Sequence, residues 1–334
     1  MALLFCDSFD HLSVDLLTTK WSSLNLTGGI YTDTGRFGSC LKIENTFTRM
    51  LTKSLGANYT TLICGFAFKF TVPGSGVFWS LLDNGSTQVD LRLTASGQLE
   101  LTRNGTVLAT STRVLEAQAW YHIQVKVTID NTAGSVEVKV NNEVWATASG
   151  VDTQNTSNAY ANQVRLQNSD NHDPDYFDDF WICDTSGSQC NDYLGDVRVE
   201  ALRPSGAGAT TQMTPSVGAN YECVDDTTPD ADTTYVSSAT AGNKDTYACG
   251  DLTSTTGTVK ALVVHAYARK DDAGERTLKA VVRHGGTDYE HSDARQVLDS
   301  YRCLSWIFET NPGTGSAWTI SDVNGAEFGQ KLVS

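Results

Sequence analysis

The stretch from Trp120 to Trp145, WYHIQVKVTIDNTAGSVEVKVNNEVW, constrains the fold more than any other part of the chain. Two runs of alternating apolar and polar residues flank a turn at Asp130-Asn131-Thr132-Ala133-Gly134. Successive side chains of a strand point to opposite faces. Ile123, Val125, Val127 and Ile129 therefore share one face of the first run, and Val136, Val138 and Val140 one face of the second. The pattern predicts an antiparallel hairpin with one dry side and one wet side, and Asn141-Asn142 offers a second turn before Val144-Trp145. Such a ribbon needs another apolar surface to pack against.

Further strands are expected at 62–70, 76–82, 88–93 and 98–103, with 163–166 and 176–183 closing a first domain. Turn residues separate them at short intervals and no convincing helix intervenes, which excludes a parallel βαβ fold. At 334 residues the chain suits two domains, placed at 1–190 and 191–334. The fold class is all-β, an antiparallel jelly-roll sandwich followed by a second β-sandwich domain. Residues 185–188 and 203–208 read as linker, with an extended strand at 197–202 between them. The second part patterns as strands at 259–269, 278–283 and 303–308. Residues 210–248, polar and poor in large apolar groups apart from Tyr221 and Tyr235, read as a long ordered loop or arm that must pack on something larger.

A formal net charge of −15 with no Lys/Arg cluster repels phosphate backbones and argues against a nucleic-acid partner. No apolar run approaches a membrane span, and the opening Met-Ala-Leu-Leu-Phe-Cys-Asp lacks a secretory pattern, so synthesis in the cytosol is expected. The eight cysteines show no zinc-type spacing and read mostly as small buried hydrophobes; a local Cys183–Cys190 disulfide is the alternative for the closest pair.

Several segments of the first domain resemble the laminin-G-like, concanavalin-A-like jelly roll. They are Gly35-Arg36-Phe37-Gly38-Ser39-Cys40-Leu41, Thr61 to Lys69, the Trp120 to Trp145 block, an opening Asp7-Ser8-Phe9-Asp10 and a closing Tyr176-Phe177-Asp178-Asp179-Phe180-Trp181. Farther on, Asp196 to Pro204, Asn311 to Thr319 and Asn324 to Gly329 resemble tailed-bacteriophage virion proteins of the lectin-like type. That second resemblance implies a structural role on a phage particle, as capsid decoration or minor tail component.

The jelly-roll superfamily includes glycoside hydrolases, which need two carboxylates flanking the scissile bond. The related glucanase spacings Glu-x-Asp-x-x-Glu and Glu-x-Asp-x-Glu do not occur, and Glu137 alternates with Val136 and Val138 on the wet face. No Gly-x-Ser-x-Gly elbow or phosphate-cradling glycine loop occurs, and no histidine sits in a nucleophile motif. The expectation is therefore a chain that is not an enzyme. The acidic stretch 169–175 is ordinary turn composition; read instead as a metal site, Asp173, Asp175 and Asp178 would hold one structural calcium. No other cofactor is expected. Glycan binding needs only an exposed aromatic platform with polar neighbours, for which Trp79, Trp145 and Tyr176 are the candidates.

The leading expectation is a homo-oligomeric virion protein, with threefold symmetry as one option. Its partners would be phage capsid or tail proteins, with host-surface glycan as a further ligand. A carbohydrate-binding lectin or adhesin is the alternative.

Overall fold

The computed structural model describes residues 2–25, 30–44, 49–168 and 174–334. The chain divides into two compact units, Met1–Val199 and Glu200–Ser334, each with its own apolar core.

The strands of the first unit are β1 (Leu3–Asp7), β2 (Ser23–Asn25), β3 (Ile30–Thr34), β4 (Ser39–Ile43), β5 (Arg49–Tyr59), β6 (Thr61–Phe70), β7 (Gly76–Asp83) and β8 (Ser86–Leu93). They continue with β9 (Gln98–Arg103), β10 (Thr106–Val114), β11 (Tyr121–Thr128), β12 (Gly134–Val140), β13 (Glu143–Val151), β14 (Ala161–Asn168) and β15 (Asp175–Cys183). One sheet runs β13-β12-β11-β6-β15-β4-β3, with β1 also paired to β15; the other runs β10-β9-β8-β7-β14-β5-β2. Every pairing is antiparallel, the arrangement of an all-β jelly-roll sandwich.

The predicted hairpin is β11–β12, with Val125 opposite Val138 and Val127 opposite Val136. Its apolar face is fully buried among the Phe and Leu side chains of both sheets. Tight turns at Asn84-Gly85, Asn104-Gly105 and Asn141-Asn142 place both central residues at positive φ, the backbone that suits two-residue hairpin loops and that Asn and Gly adopt most readily.

Two sites tie the larger sheet together. Asp7 at the end of β1 is buried and accepts hydrogen bonds from Trp21 Nε1 at 2.7 Å and Phe9 N at 3.0 Å, with buried Lys20 Nζ 3.2 Å away. Burial alone would raise its carboxyl, yet Lys20, then His11 and these donors, hold it below the usual range. Gly65 in β6 lies under the Trp181 indole, which a Cβ there would meet at 2.2 Å, so no larger residue fits.

In the second unit the strands are β16 (Pro204–Thr211), β17 (Thr214–Pro215), β18 (Val236–Ser237), β19 (Lys244–Cys249) and β20 (Leu262–Ala268). These are followed by β21 (Arg276–His284), β22 (Thr287–Glu290), β23 (Arg295–Val297), β24 (Arg302–Phe308) and β25 (Glu327–Leu332). A six-stranded sheet, β16-β19-β25-β21-β22 with β23 on β21, shares a core with the two-stranded ribbon β20–β24 through Leu278, Val282, Trp306, Phe308 and Trp318.

Three sequence expectations are corrected. Of residues 203–208, all but the first are strand and not linker, as part of β16; residues 210–248 supply β17, β18 and most of β19, and buried Asp245 accepts from Gln212 N, Met213 N and Asn220 Nδ2. Residues 197–202 form no strand. Residues 191–199 belong to the first unit, because their polar groups dock on its larger sheet.

The Asp7→Asn variant is expected to lose about 3 kcal/mol of stability, because breaking one side of a buried ion pair strands the other charge. Urea unfolding of the full chain checks this; an unchanged midpoint would contradict the role given to Asp7.

Candidate glycan-binding face

Alternation decides what the outer face of the larger sheet carries. In β15 Phe177 points into the core, so Tyr176 and Asp178 point out; in β6 Phe68 and Phe70 point in and Lys69 out; in β4 Leu41 and Ile43 point in and Lys42 out. Cross-strand register then lines up residues far apart in sequence. Tyr31 pairs with Lys42, Lys42 with Tyr176, and Tyr176 with Lys69, while Trp120, just before β11, lies beside Lys69. The row Tyr31–Lys42–Tyr176–Lys69–Trp120 alternates ring and cation over four strand spacings, about 19 Å.

Contacts bind the row into one surface. Lys69 Nζ lies 4.1 Å from the Tyr176 ring centroid and 4.9 Å from that of Trp120, and these two rings meet edge to face at 6.4 Å. Lys42 Nζ lies 5.7 Å from the Tyr31 ring and pairs with Glu44 at 2.7 Å and Asp33 at 3.8 Å. Tyr31 is 46% exposed, and Lys42, Lys69, Trp120 and Tyr176 are half-buried.

The next part of the same face is covered. The turn between β3 and β4 folds over it, with Arg36 N and Phe37 N donating to Asp178 Oδ2 at 2.8 and 3.1 Å. Gly38 in that turn has φ +64, and a Cβ on it would lie 2.2 Å from Asp10 Oδ1. Residues 190–199 run across the remainder. Gly195 N donates to Gln124 Oε1, Val199 N to Asp179 Oδ1 and Lys126 Nζ to Asp192, while Asp196 takes a two-pronged Arg36 contact at 2.6 and 2.8 Å. Asp178, Asp179, His122, Gln124 and Trp181 are buried beneath this cover.

The covered cluster is electrostatically unusual. Burial, then the adjacent Asp179, pushes Asp178 up to about 8 against three backbone N–H donors, and burial lifts Asp179 to about 6. Burial lowers His122 to about 4 although Asp196 favours its protonation, and neither ring nitrogen has a hydrogen-bond partner among the described residues. Burial opposes the charge of Asp196 as well, but Arg36 and then His122 keep its carboxyl below the ordinary range.

Of the residues singled out from the sequence, Tyr176 lies at the centre of the open row. Trp79 is fully buried in the core and cannot meet a ligand: β7 carries a register irregularity between Val77 and Trp79 that turns both Phe78 and Trp79 inward. Trp145 packs against the core edge near Tyr121 and Arg113 and does not join Tyr176. For the calcium set, Asp173 lies outside the described residues, while Asp175 shares the inward side of β15 with Phe177 and Asp178 faces outward. Two carboxylates on opposite faces of one strand cannot hold one ion. No group of three or more His, Cys, Asp or Glu among the described residues could hold a metal. Tyr31, Lys42, Lys69 and Trp120 escaped sequence reasoning; Lys42 and Lys69 alternate with core residues, Tyr31 and Trp120 do not, and only the register brings the four together.

The outer face of the second sheet differs in kind. Its row Thr52–Arg165–Ser80–Asp90–Thr102 is polar and contains no aromatic ring, and Ser80 Oγ donates to Asp90 at 2.6 Å.

No family model matches the chain, and no curated protein matches it. Among solved structures it is similar to a sialidase (13% identity, TM-score 0.41), covering 54% of this chain and 18% of that one. It is also similar to the alginate lyase vAL-1 from Chlorella virus (11%, TM-score 0.38; 53% and 99% covered) and to a carbohydrate esterase from Shiga toxin-encoding bacteriophage phi24B (12%, TM-score 0.36; 50% and 91%). The chain thus spans under a fifth of the sialidase's length. These structures are enzymes, so the expectation that the chain is not an enzyme no longer stands; at such identities their substrates and reactions remain properties of those proteins.

The buried neutral His122 makes a pH prediction. Its folded value lies below the ordinary 6.5, so the folded state excludes a proton that the unfolded chain takes up. Its contribution is complete above pH 6.5 and is lost as pH falls toward about 4, in total roughly 3 kcal/mol. The His122→Gln variant should lose less stability than the native chain between pH 6.5 and 4 in urea titrations. Parallel losses would contradict the assignment.

Proposed function

We propose that the first unit binds carbohydrate on the outer face of its larger sheet, along the row from Tyr31 to Trp120. The observation that carries this reading is an open cross-strand line of three rings and two lysines on a face whose remaining length is covered by residues 35–38 and 190–199. A sugar ring offers apolar C–H faces edged with hydroxyls. Tyrosine and tryptophan match this with an apolar body and a polar tip, and the lysines supply hydrogen-bond donors. A line about 19 Å long has room for several linked sugars.

The setting we propose is the surface of a tailed-phage particle, with the protein self-associating as capsid decoration or tail component and presenting this face to glycan. Support for the setting is the likeness of residues 196–204, 311–319 and 324–329 to virion proteins of that kind.

A glycan array followed by calorimetry on the best ligand tests the binding site. Tyr176→Ala and Tyr31→Ala should each weaken binding about tenfold, the equivalent of about 1.4 kcal/mol, without lowering the thermal midpoint. Native affinity in both variants would overturn the site. Mixing the purified chain with phage particles lacking it tests the setting: stoichiometric rebinding of a defined oligomer is expected, and a monomer that ignores the particles would overturn it.

A further inference from the structure

Resting on the carbohydrate-binding reading of this face, we infer that the ligand is an anionic glycan, one whose sugar rings carry carboxylate or sulfate groups, and that Lys69 is the residue that reads the charge.

The two lysines of the row are not equivalent. Lys42 is neutralised on the spot by Glu44 and Asp33. Lys69 has no carboxylate within 4.0 Å among the described residues, and its ammonium is held between the faces of Tyr176 and Trp120. Its outward neighbour two residues back along β6 is Ala67, which is fully buried and offers no side-chain acceptor. A strongly hydrated ammonium gains little, about 0.5–1 kcal/mol, from an exposed ring contact, so these rings do not replace an anionic partner. The chain as a whole carries a net charge of −15, and a cation with no carboxylate beside it among the described residues, set between two aromatic rings, stands out against that field.

The geometry suits a charged sugar. A ring stacked on Tyr176 or Trp120 would bring a substituent on its edge toward the Lys69 ammonium between them. On the Tyr31 side the lysine already has its anions, which leaves that end fitted to uncharged hydroxyls. One charge contact flanked by stacking predicts an affinity that falls with salt but does not vanish.

The test uses the full chain in calorimetry against oligogalacturonate, the same oligomer with its carboxyls methyl-esterified, a sialyl-oligosaccharide, a sulfated oligosaccharide and a neutral hexose oligomer. At least one anionic glycan should bind about tenfold or more tighter than its neutral counterpart. Lys69→Gln should bring the anionic glycan and its neutral counterpart to the same affinity, and Lys69→Arg should retain the preference. Which anionic arm binds separates carboxylated from sulfated ligands. Lys69 is half-exposed, so the variants are expected to fold, with an unchanged thermal midpoint as the control. Binding of neutral and anionic glycans with equal affinity, unaltered in Lys69→Gln, would overturn the charge inference and leave the carbohydrate reading standing. A native chain that binds none of the five would overturn both. A preference for anions that survives in Lys69→Gln would remove Lys69 from the role.

Discussion

The dry interior between the two sheets of the first unit governs everything else in it. Burying the inward residues of β6, β7, β11, β12, β14 and β15 fixes which residues of each strand must face outward, because a slip of one position would turn every side chain over. With about 25 cal/mol for each Å² of apolar surface removed from water, the Phe and Leu side chains of this core supply the main driving force. The outward residues are then placed by that force, whatever their own preferences. The row from Tyr31 to Trp120 is a product of the core that it does not touch.

Polar chemistry is arranged around this constraint. Asp7 and Lys20 lock β1 against the segment that follows it, and the turn at residues 35–38 together with residues 190–199 closes over the middle of the outer face. A sheet face with buried Asp178, Asp179 and His122 could not be left open without solvating them, and the cover supplies backbone donors and Arg36. The end of the face beyond this cover keeps its rings and lysines accessible.

Much of the architecture was legible in the sequence, since alternation in Ile123 to Ile129 and Val136 to Val140 and the Asn-Gly turns are local signals. The site was legible only in part. Tyr176 could be named from its place beside Phe177, but its neighbours come from β3, β4 and β6, more than 100 residues away along the chain, and register across strands is not written in any local pattern. Trp79 misled because residue type alone does not tell an exposed ring from a buried one, and an irregularity in β7 turns it inward beside Phe78. Of the calcium set of Asp173, Asp175 and Asp178, the last two have opposite parity on β15, which alternation alone argues against. Residues 210–248 read as an ordered loop or arm because they are polar, and hydrogen bonds to Asp245 together with the burial of Met213 in the second core hold them in place.

The most direct test of the central claim is a crystal structure of the full chain soaked with an oligosaccharide that it binds in solution. Sugar rings stacked on Tyr176 and along the line from Tyr31 to Trp120 are the result this account predicts. Sugar seated instead on the polar row of Thr52, Arg165, Ser80, Asp90 and Thr102, with the Tyr176 face empty, would contradict it.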